Sequence, residues 1–129
     1  MEKLIAMLVP MLEGLGITLE VFIITLALSL PLGLMLALAR ISNCKPLSFI
    51  VETYIWLMRG TPLMLQLLFV YYALPSVGIK MSDMTAALLA FSLNYAAYFA
   101  EIFRSGIQSI ERGQYEAAKC LGFSYIQTM

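Results

Sequence analysis

The chain has 129 residues, of which 61% are hydrophobic and 12% are charged. An ordinary soluble domain is about half apolar and spreads its apolar residues over amphipathic faces, whereas here they are gathered into long runs. The composition therefore argues against a water-soluble domain and predicts a membrane protein. Eight basic and eight acidic residues give a formal net charge of zero, which leaves no charge footprint for nucleic acid.

The residue types that support metal or acid–base chemistry are sparse. Histidine is absent from the sequence, and no cluster of Cys, Asp and Glu has the spacing of a metal site. The two cysteines, Cys44 and Cys120, lie far apart in segments that are placed below on the cytoplasmic side, where thiols stay reduced. We therefore expect no metal, no cofactor and no disulfide.

The first apolar run is free of charge from Val21 to Ala39, about 28 Å as a helix, and a bilayer core is about 30 Å thick. It predicts a membrane span at about residues 18–39, with a kink near Pro31, after an extracytoplasmic segment at residues 1–16. A secretory signal peptide is the alternative, because Ala37-Leu38-Ala39 resembles a cleavage site. The length of the run and the acidic residues before it favour a span.

A second apolar stretch, from Leu47 to Leu74, contains a break. Because the residue before a proline is disfavoured in a helix, Arg59-Gly60-Thr61-Pro62 predicts that one helix ends and another begins, with Thr61 as the cap of the second. The piece after the break is about 20 Å long, too short to cross a bilayer alone. We therefore expect one broken span at about residues 52–74.

The third span is expected at about residues 84–105, with Asp83 as its helix cap. Beyond it, Gly113 and Gly122 flank a stretch of good helix formers about two turns long. Gly122 is placed where a glycine ends a helix. This pattern predicts a small surface helix rather than a fourth span.

The basic residues are unevenly distributed about these spans. Six of them follow the first or third span or lie near the break, namely Arg40, Lys45, Arg59, Arg104, Arg112 and Lys119. The other two, Lys3 and Lys80, lie on the opposite side. The positive-inside rule therefore puts the N terminus outside and the residues after the third span in the cytoplasm.

Polar residues of the third span share one side of the helix, which we call the polar stripe. At about 100° per residue, five of them fall within an arc of about 80°, namely Asn94, Tyr98, Glu101, Ser105 and Gln108. Two interpretations stay open: hydrogen bonds to neighbouring helices, or a substrate path along the upper part of the stripe. Glu101 and Arg104 have the spacing of a helical ion pair. Gln66 is a further candidate for the path, since a broken helix presents free N–H groups.

Three stretches in order carry a resemblance to a known family. They are Arg59-Gly60-Thr61-Pro62-Leu63 with Gln66, then the residues from Ala97 to Arg104 with Gly106-Ile107-Gln108-Ser109-Ile110, and then Gly113-Gln114-Tyr115-Glu116-Ala117-Ala118 with Leu121-Gly122. A lone Glu-Ala-Ala triplet is a weak signal, but all three stretches together resemble the permease subunits of polar amino-acid ABC importers of the histidine, arginine and glutamine type. The similarity runs from about Gly14 to the last residue.

The resemblance implies an all-α membrane protein with three transmembrane helices of an incomplete type I importer fold, over residues 17–129. Residues 113–122 would form the coupling helix that docks on a cytoplasmic ATPase, through Gly113, Gln114, Glu116, Ala117, Ala118 and Gly122. A plain amphipathic loop helix is the alternative. The candidate substrate path comprises Gln66, Asn94, Tyr98 and Glu101.

The resemblance also implies partners in a bacterial inner membrane. They are a second permease subunit, identical or homologous, an extracytoplasmic amino-acid-binding protein, and a polar amino acid as substrate. The chain has no Gly-x-x-x-x-Gly-Lys-Ser/Thr motif to hold phosphates. The ATPase is therefore expected on a separate chain, and this chain is not expected to be an enzyme.

The family pattern continues to an Ile-x-Leu-Pro element and about two further spans, whereas this chain stops at Met129. The resemblance therefore implies a fragment that does not transport on its own. Two other functions compete with the permease. One is a small three-span structural or adaptor protein without transport activity. The other is an intramembrane enzyme with Glu101 as an acid, which lacks a convincing nucleophile and base.

Overall fold

The computed structural model describes the backbone of residues 2–128 and the side chains of residues 7–128. Within that range the chain is helical and contains no strand, which confirms the predicted all-α class. The helices are α1 (Glu2–Ile41), α2 (Lys45–Gly60), α3 (Leu63–Leu68), a π-helical turn (Phe69–Ala73), α4 (Leu74–Ser76), α5 (Asp83–Gln108), α6 (Arg112–Cys120) and α7 (Tyr125–Thr128). The side chain of Lys3, which enters the orientation count, lies outside the described residues.

The first span lies within a much longer helix than expected. α1 contains 40 residues and is helical on both sides of Pro31, so the kink there stays a prediction. Residues 2–16, expected as a separate extracytoplasmic segment, continue the same helix. At about 1.5 Å per residue α1 is about 60 Å long, about twice the thickness of the hydrocarbon core. Part of α1 therefore extends beyond the bilayer.

The second span is broken at the predicted residues. The chain bends by 103° between α2 and the stretch Leu63–Ser76, because Thr61 and Pro62 both adopt an extended backbone. The predicted cap is wrong. The hydroxyl of Thr61 donates to the carbonyl of Leu57 at 2.8 Å, so this side chain closes α2 and does not cap α3.

The third span, α5, has 26 residues and is long and apolar enough to cross a membrane. Its cap is Ser82 and not Asp83, because the hydroxyl oxygen of Ser82 accepts the N–H of Thr85 at 3.2 Å. Asp83 is the first helical residue, where its carboxylate faces the positive end of the helix dipole. The predicted N-cap of this helix was therefore one residue C-terminal to the observed one.

α1 and α5 pack closely through small residues. Gly33 is buried, and a Cβ at this position would lie 2.6 Å from Cβ of Phe99 and 3.1 Å from the carbonyl oxygen of Ala96. On α1 the buried residues are Thr25, Ser29, Gly33 and Ala37, and the α5 residues that lie against Gly33 include the buried Ala96 and Ala100. Seams of small residues let membrane helices approach each other.

The order of contacts along the seam gives the direction of the helices. Residues 18–29 of α1 line a groove with residues 91–99 of α5, and Arg40 lies in one cavity with Glu101 and Arg104. α1 and α5 therefore run parallel. Such an arrangement fits two crossings in the same sense that are separated by one return crossing.

α2 packs against the middle of α5 and is tied to the end of α1. Val51 and Ile55 form a buried cluster with Ala97 and Ala100, and the Tyr54 hydroxyl donates to the carbonyl of Leu93 at 2.6 Å. At the other end of α2, two side chains anchor Arg40. It forms an ion pair with Glu52 at 2.7 Å and donates to the hydroxyl of Ser48 at 3.0 Å. These contacts place α2 beside the polar stripe.

Candidate functional site

The break between α2 and α3 is closed by side-chain amides, in a cluster of Met58, Thr61, Gln66 and Asn94 that we call the break junction. The amide nitrogen of Gln66 lies 3.0 Å from the carbonyl oxygen of Met58 and 2.6 Å from the hydroxyl oxygen of Thr61. The amide nitrogen of Asn94 donates to the same Met58 carbonyl and to the side-chain oxygen of Gln66, both at 3.0 Å. One polar cluster therefore joins α2, α3 and α5.

The break junction exists because the end of α2 leaves carbonyl groups without helical partners. In a continuous helix, the carbonyl of Met58 would accept the N–H of the residue four positions later. That residue is Pro62, which has no N–H. The amides of Gln66 and Asn94 supply the missing donors. For these two residues the geometry supports the interpretation of hydrogen bonds between helices.

A second polar site, which we call the charged cavity, lies between the end of α1, α2 and the second half of α5. Its volume is about 520 Å³, within the range of about 300–1,000 Å³ that is usual for small-molecule sites. Five charged and two aromatic side chains contribute to its wall, namely Arg40, Glu52, Arg59, Glu101, Arg104, Trp56 and Tyr98. Positively and negatively charged side chains thus line the same cavity.

Two ion pairs account for four of these charges. Arg104 pairs with Glu101, as their spacing predicts, and also donates to the side chain of Gln108. Arg40 pairs with Glu52 at 2.7 Å. The guanidinium of Arg59 has no carboxylate at ion-pair distance within the described part of the chain. Its central carbon lies 5.5 Å from the centroid of the Tyr98 ring.

The polar stripe therefore divides between two sites. Asn94 joins Gln66 in the break junction, whereas Tyr98 and Glu101 line the charged cavity. The sequence interpretation missed Arg59 as a site residue, because it used this arginine and the Arg-Gly-Thr-Pro stretch for the break, the orientation and the family resemblance, and not for a binding site. The signal was an arginine beside a break within an apolar segment, since such charges tend to face cavities.

The predicted surface helix is α6, which begins at Arg112, so that Gly113 lies within it rather than before it. Its end agrees with the prediction. Gly122 has φ of +78°, and its N–H donates to the carbonyl of Lys119 at 3.1 Å, while the N–H of Phe123 donates to the carbonyl of Ala118 at 3.0 Å. This hydrogen-bond pair is the Schellman motif that a C-terminal glycine forms.

α6 is held against the end of α5 and exposes the rest of its surface. The Tyr115 hydroxyl donates to the carbonyl of Ile107 at 3.1 Å. Five of the six residues expected to couple to an ATPase are exposed, namely Gly113, Gln114, Glu116, Ala117 and Gly122, whereas Ala118 is half-buried. Large apolar side chains follow, with Leu121 75% and Ile126 88% exposed. An exposed apolar patch rimmed by charges is typical of a surface that binds a partner.

Comparisons with known proteins agree on one family. The family model described as "Binding-protein-dependent transport system inner membrane component" matches residues 29–129. The probable amino-acid ABC transporter permease protein YckA of Bacillus subtilis (strain 168) is 46% identical over 117 residues, which are 91% of this chain and 52% of the relative. The arginine transport system permease protein ArtQ of the same organism is 45% identical over 119 residues, 92% of this chain and 54% of the relative.

One solved structure is similar over nearly the whole chain. It is described as a crystal structure of an amino acid ABC transporter with histidines, and it matches with a TM-score of 0.78 and 34% identity. The match covers 94% of this chain and 60% of that chain. The chain spans about half the length of the curated relatives that it matches.

Proposed function

The chain belongs to the family of binding-protein-dependent transport system inner membrane components, and from this we propose that it forms part of the permease of an ABC importer that moves a polar amino acid into the cytoplasm. The observation that carries the proposal is α6, an exposed Glu-Ala-Ala helix closed by Gly122 directly after a membrane helix. The relatives' names refer to amino acids in general and to arginine, which supports the substrate class.

ATP hydrolysis, in this proposal, takes place on a separate ATPase subunit that docks on α6. Ala117 is small and exposed, which lets a partner approach the helix backbone closely. Glu116 and Lys119 offer charged contacts at the rim, and Leu121 offers apolar area. Closure of the ATPase would then move α5 through its link to α6 at Tyr115.

The proposed orientation places the N terminus outside a bacterial inner membrane and α6 in the cytoplasm. The uneven distribution of basic residues supports this arrangement even without Arg59, since five of the other seven follow the first or third span and only Lys3 and Lys80 lie on the opposite side. The parallel course of α1 and α5 is consistent with opposite sides of the membrane for the N terminus and α6, since both helices would cross in the same direction. In this orientation an ATPase at α6 would have access to cytoplasmic ATP.

The remaining partners follow from the same proposal. A second permease subunit, identical or homologous, would complete the translocation path, and an extracytoplasmic binding protein would deliver the amino acid. The candidate path stays with Tyr98 and Glu101, which face the charged cavity, and with Gln66 and Asn94 at the break junction. The two amides are already hydrogen-bonded to each other, so the cavity residues are the stronger candidates.

The test is uptake by the permease reconstituted in proteoliposomes with its ATPase subunit and binding protein. Each of the common L-amino acids, radiolabelled, is offered separately with and without internal ATP. We expect ATP-dependent accumulation of at least one polar amino acid. A complex that assembles and hydrolyses ATP but accumulates none would contradict the proposal and favour the adaptor function.

The same preparation tests the docking of the ATPase on α6. Replacement of Gly122 by alanine strains the helix end, because its φ is positive, and Glu116→Gln removes a rim charge. We expect both variants to insert normally and to hydrolyse ATP without matching uptake. Gly106→Ala is the control, since a Cβ there meets nothing within 4 Å. Normal uptake by both α6 variants would refute the coupling role.

A further inference from the structure

Arg59 is the arginine of the charged cavity whose charge is not matched by a carboxylate among the described side chains. The other two arginines each have a glutamate partner. Arg59 contacts the face of the Tyr98 ring instead, at 5.5 Å from the centroid. A ring face attracts a cation but accepts no conventional hydrogen bond. The five N–H donors of the guanidinium therefore stay available for a ligand.

The depth of Arg59 in the bilayer makes this charge unusual. Tyr98, its ring partner, lies fifteen residues after Asp83 and ten before Gln108 on α5, about 22 Å and about 15 Å from the two ends of that helix. The hydrocarbon core is about 30 Å thick, so Tyr98 lies near its middle if α5 is centred. An ionisable group at this depth is costly and tends to mark a substrate or ion path.

The helix end beside Arg59 explains only part of its position. Arg59 is in the last turn of α2, where the negative end of the helix dipole favours a cation. The nearby carbonyls do not use its donors, since those of Leu57 and Met58 accept from Thr61, Gln66 and Asn94. A structural role for the guanidinium therefore lacks the hydrogen bonds that such a role requires.

From these observations we propose that Arg59 binds the α-carboxylate of the transported amino acid within the charged cavity. The inference rests on the proposed function and deepens it. A guanidinium binds a carboxylate through two parallel hydrogen bonds, and this geometry gives both affinity and orientation. The carboxylates of Glu52 and Glu101 line the same cavity and, although each is paired with an arginine, offer oxygen atoms that can accept hydrogen bonds from the α-ammonium group. The cavity thus matches a zwitterion.

A phospholipid phosphate carries the same anionic chemistry and is the alternative occupant. The depth of Arg59 argues against it, because ten further residues of α5 separate Tyr98 from the nearer helix end. Headgroups lie outside the hydrocarbon core, so with α5 centred a phosphate would have to be drawn about 10 Å inward, about a third of the core thickness. A substrate carboxylate reaches this depth as part of transport.

The experiment measures binding to the assembled permease and ATPase complex in nanodiscs. The ligand is the L-amino acid that the wild type accumulates, compared with the carboxamide of the same amino acid, which keeps the ammonium group and the side chain. The variants are Arg59→Gln and Arg59→Lys, with Lys45→Gln as the control. Lys45 is an exposed residue at the other end of α2, so this variant removes one positive charge outside the cavity.

We expect the wild type and Lys45→Gln to prefer the amino acid over its carboxamide by on the order of tenfold to a hundredfold, as charged hydrogen bonds do. Arg59→Gln should lose that preference by weakening only the binding of the amino acid. Arg59→Lys keeps the charge without the two parallel donors and should fall between them. If Arg59→Gln does not assemble, Arg59→Lys tests the proposal instead. An unchanged preference for the amino acid over its carboxamide in Arg59→Lys would then overturn the proposal.

The other outcomes separate the proposals from each other. If the wild type accumulates no amino acid, the proposed function fails and this inference fails with it. If it does, an unchanged preference in Arg59→Gln, or an equal loss of affinity for both ligands, refutes only the role of Arg59. Repeating the titration in phosphatidylglycerol and in phosphatidylcholine nanodiscs tests the lipid. Competition by the anionic lipid that disappears in Arg59→Gln would assign the guanidinium to a phosphate.

Discussion

The break junction and the charged cavity lie one helical turn apart on α5, and they use polar side chains in opposite ways. At the break junction, Asn94 and Gln66 satisfy each other and the carbonyl groups of a broken helix, and Asn94 is only 4% exposed. In the charged cavity, Arg59 keeps its hydrogen-bond donors unused beside an aromatic ring. Polar groups on one face of a membrane helix therefore include both structural members and candidates for ligand binding.

The difference between the two sites teaches how to tell these roles apart. A buried amide with all its partners in the protein has an adequate structural explanation. A charge at membrane depth without such partners does not. Tyr98 stands between the sites, because it is next to Asn94 along the stripe and in contact with Arg59. The following predictions test whether the two sites are as different as this comparison states.

The largest effect is expected where the support shared by both sites is disturbed. Gly33→Val places side-chain atoms against the backbone of α5, where a Cβ alone already meets Cβ of Phe99 at 2.6 Å. We expect a loss of about 3 kcal/mol in the free energy of unfolding, measured by chemical unfolding in detergent. Gly16→Val is the control, since a Cβ at Gly16 meets nothing within 4 Å. Equal stability of the two variants would show that α1 and α5 can move apart at this contact without a loss of stability.

The next largest effect is expected at the break junction. Asn94→Ala leaves the side-chain oxygen of Gln66 without its donor and removes one of two donors to the carbonyl of Met58, at a cost of about 1–3 kcal/mol. The double variant with Gln66→Ala should cost less than the sum of the single variants, because the two amides act together. Strict additivity in the same unfolding assay would indicate two independent contacts.

A smaller effect is expected at the ring that contacts Arg59. Tyr98→Leu removes the aromatic face and should destabilise the chain by about 1 kcal/mol, the size of a partly exposed cation–π contact. Tyr98→Phe keeps the face and should have the stability of the wild type, since the hydroxyl makes no hydrogen bond among the described residues. Thermal unfolding of both variants in detergent decides this point. A loss of the same size in Tyr98→Phe would mean that the hydroxyl matters instead.

The smallest effect is expected at the outer pair of the charged cavity. Glu52→Gln removes the partner of Arg40, but the Glu52 side chain is 55% exposed, so water and salt weaken the pair. We expect a change below about 1 kcal/mol that shrinks further as the salt concentration rises. A larger loss that does not depend on salt would show that this pair is shielded in the assembled protein.

Much of the fold was predictable because it depends on residues that are close in the sequence. The position of the break follows from Thr61-Pro62, the end of α6 from Gly122, and the ion pair of Glu101 with Arg104 from their spacing on one helix. Long apolar runs also predict spans without any knowledge of packing. Helix caps were less predictable. Ser82 and Asp83 are both suitable caps, and only the backbone conformation decides between them.

The sequence by itself thus determined the membrane setting, the broken second span, the surface helix and the family motifs. The tertiary structure alone decided which polar residues meet. Asn94 lies 28 residues from Gln66 in the chain and Tyr98 lies 39 residues from Arg59, so that the spacing rules of a single helix do not relate them. Their partners depend on how closely α1, α2 and α5 approach, which the small residues around Gly33 set. Local sequence rules describe one helix, whereas a site between helices arises from packing.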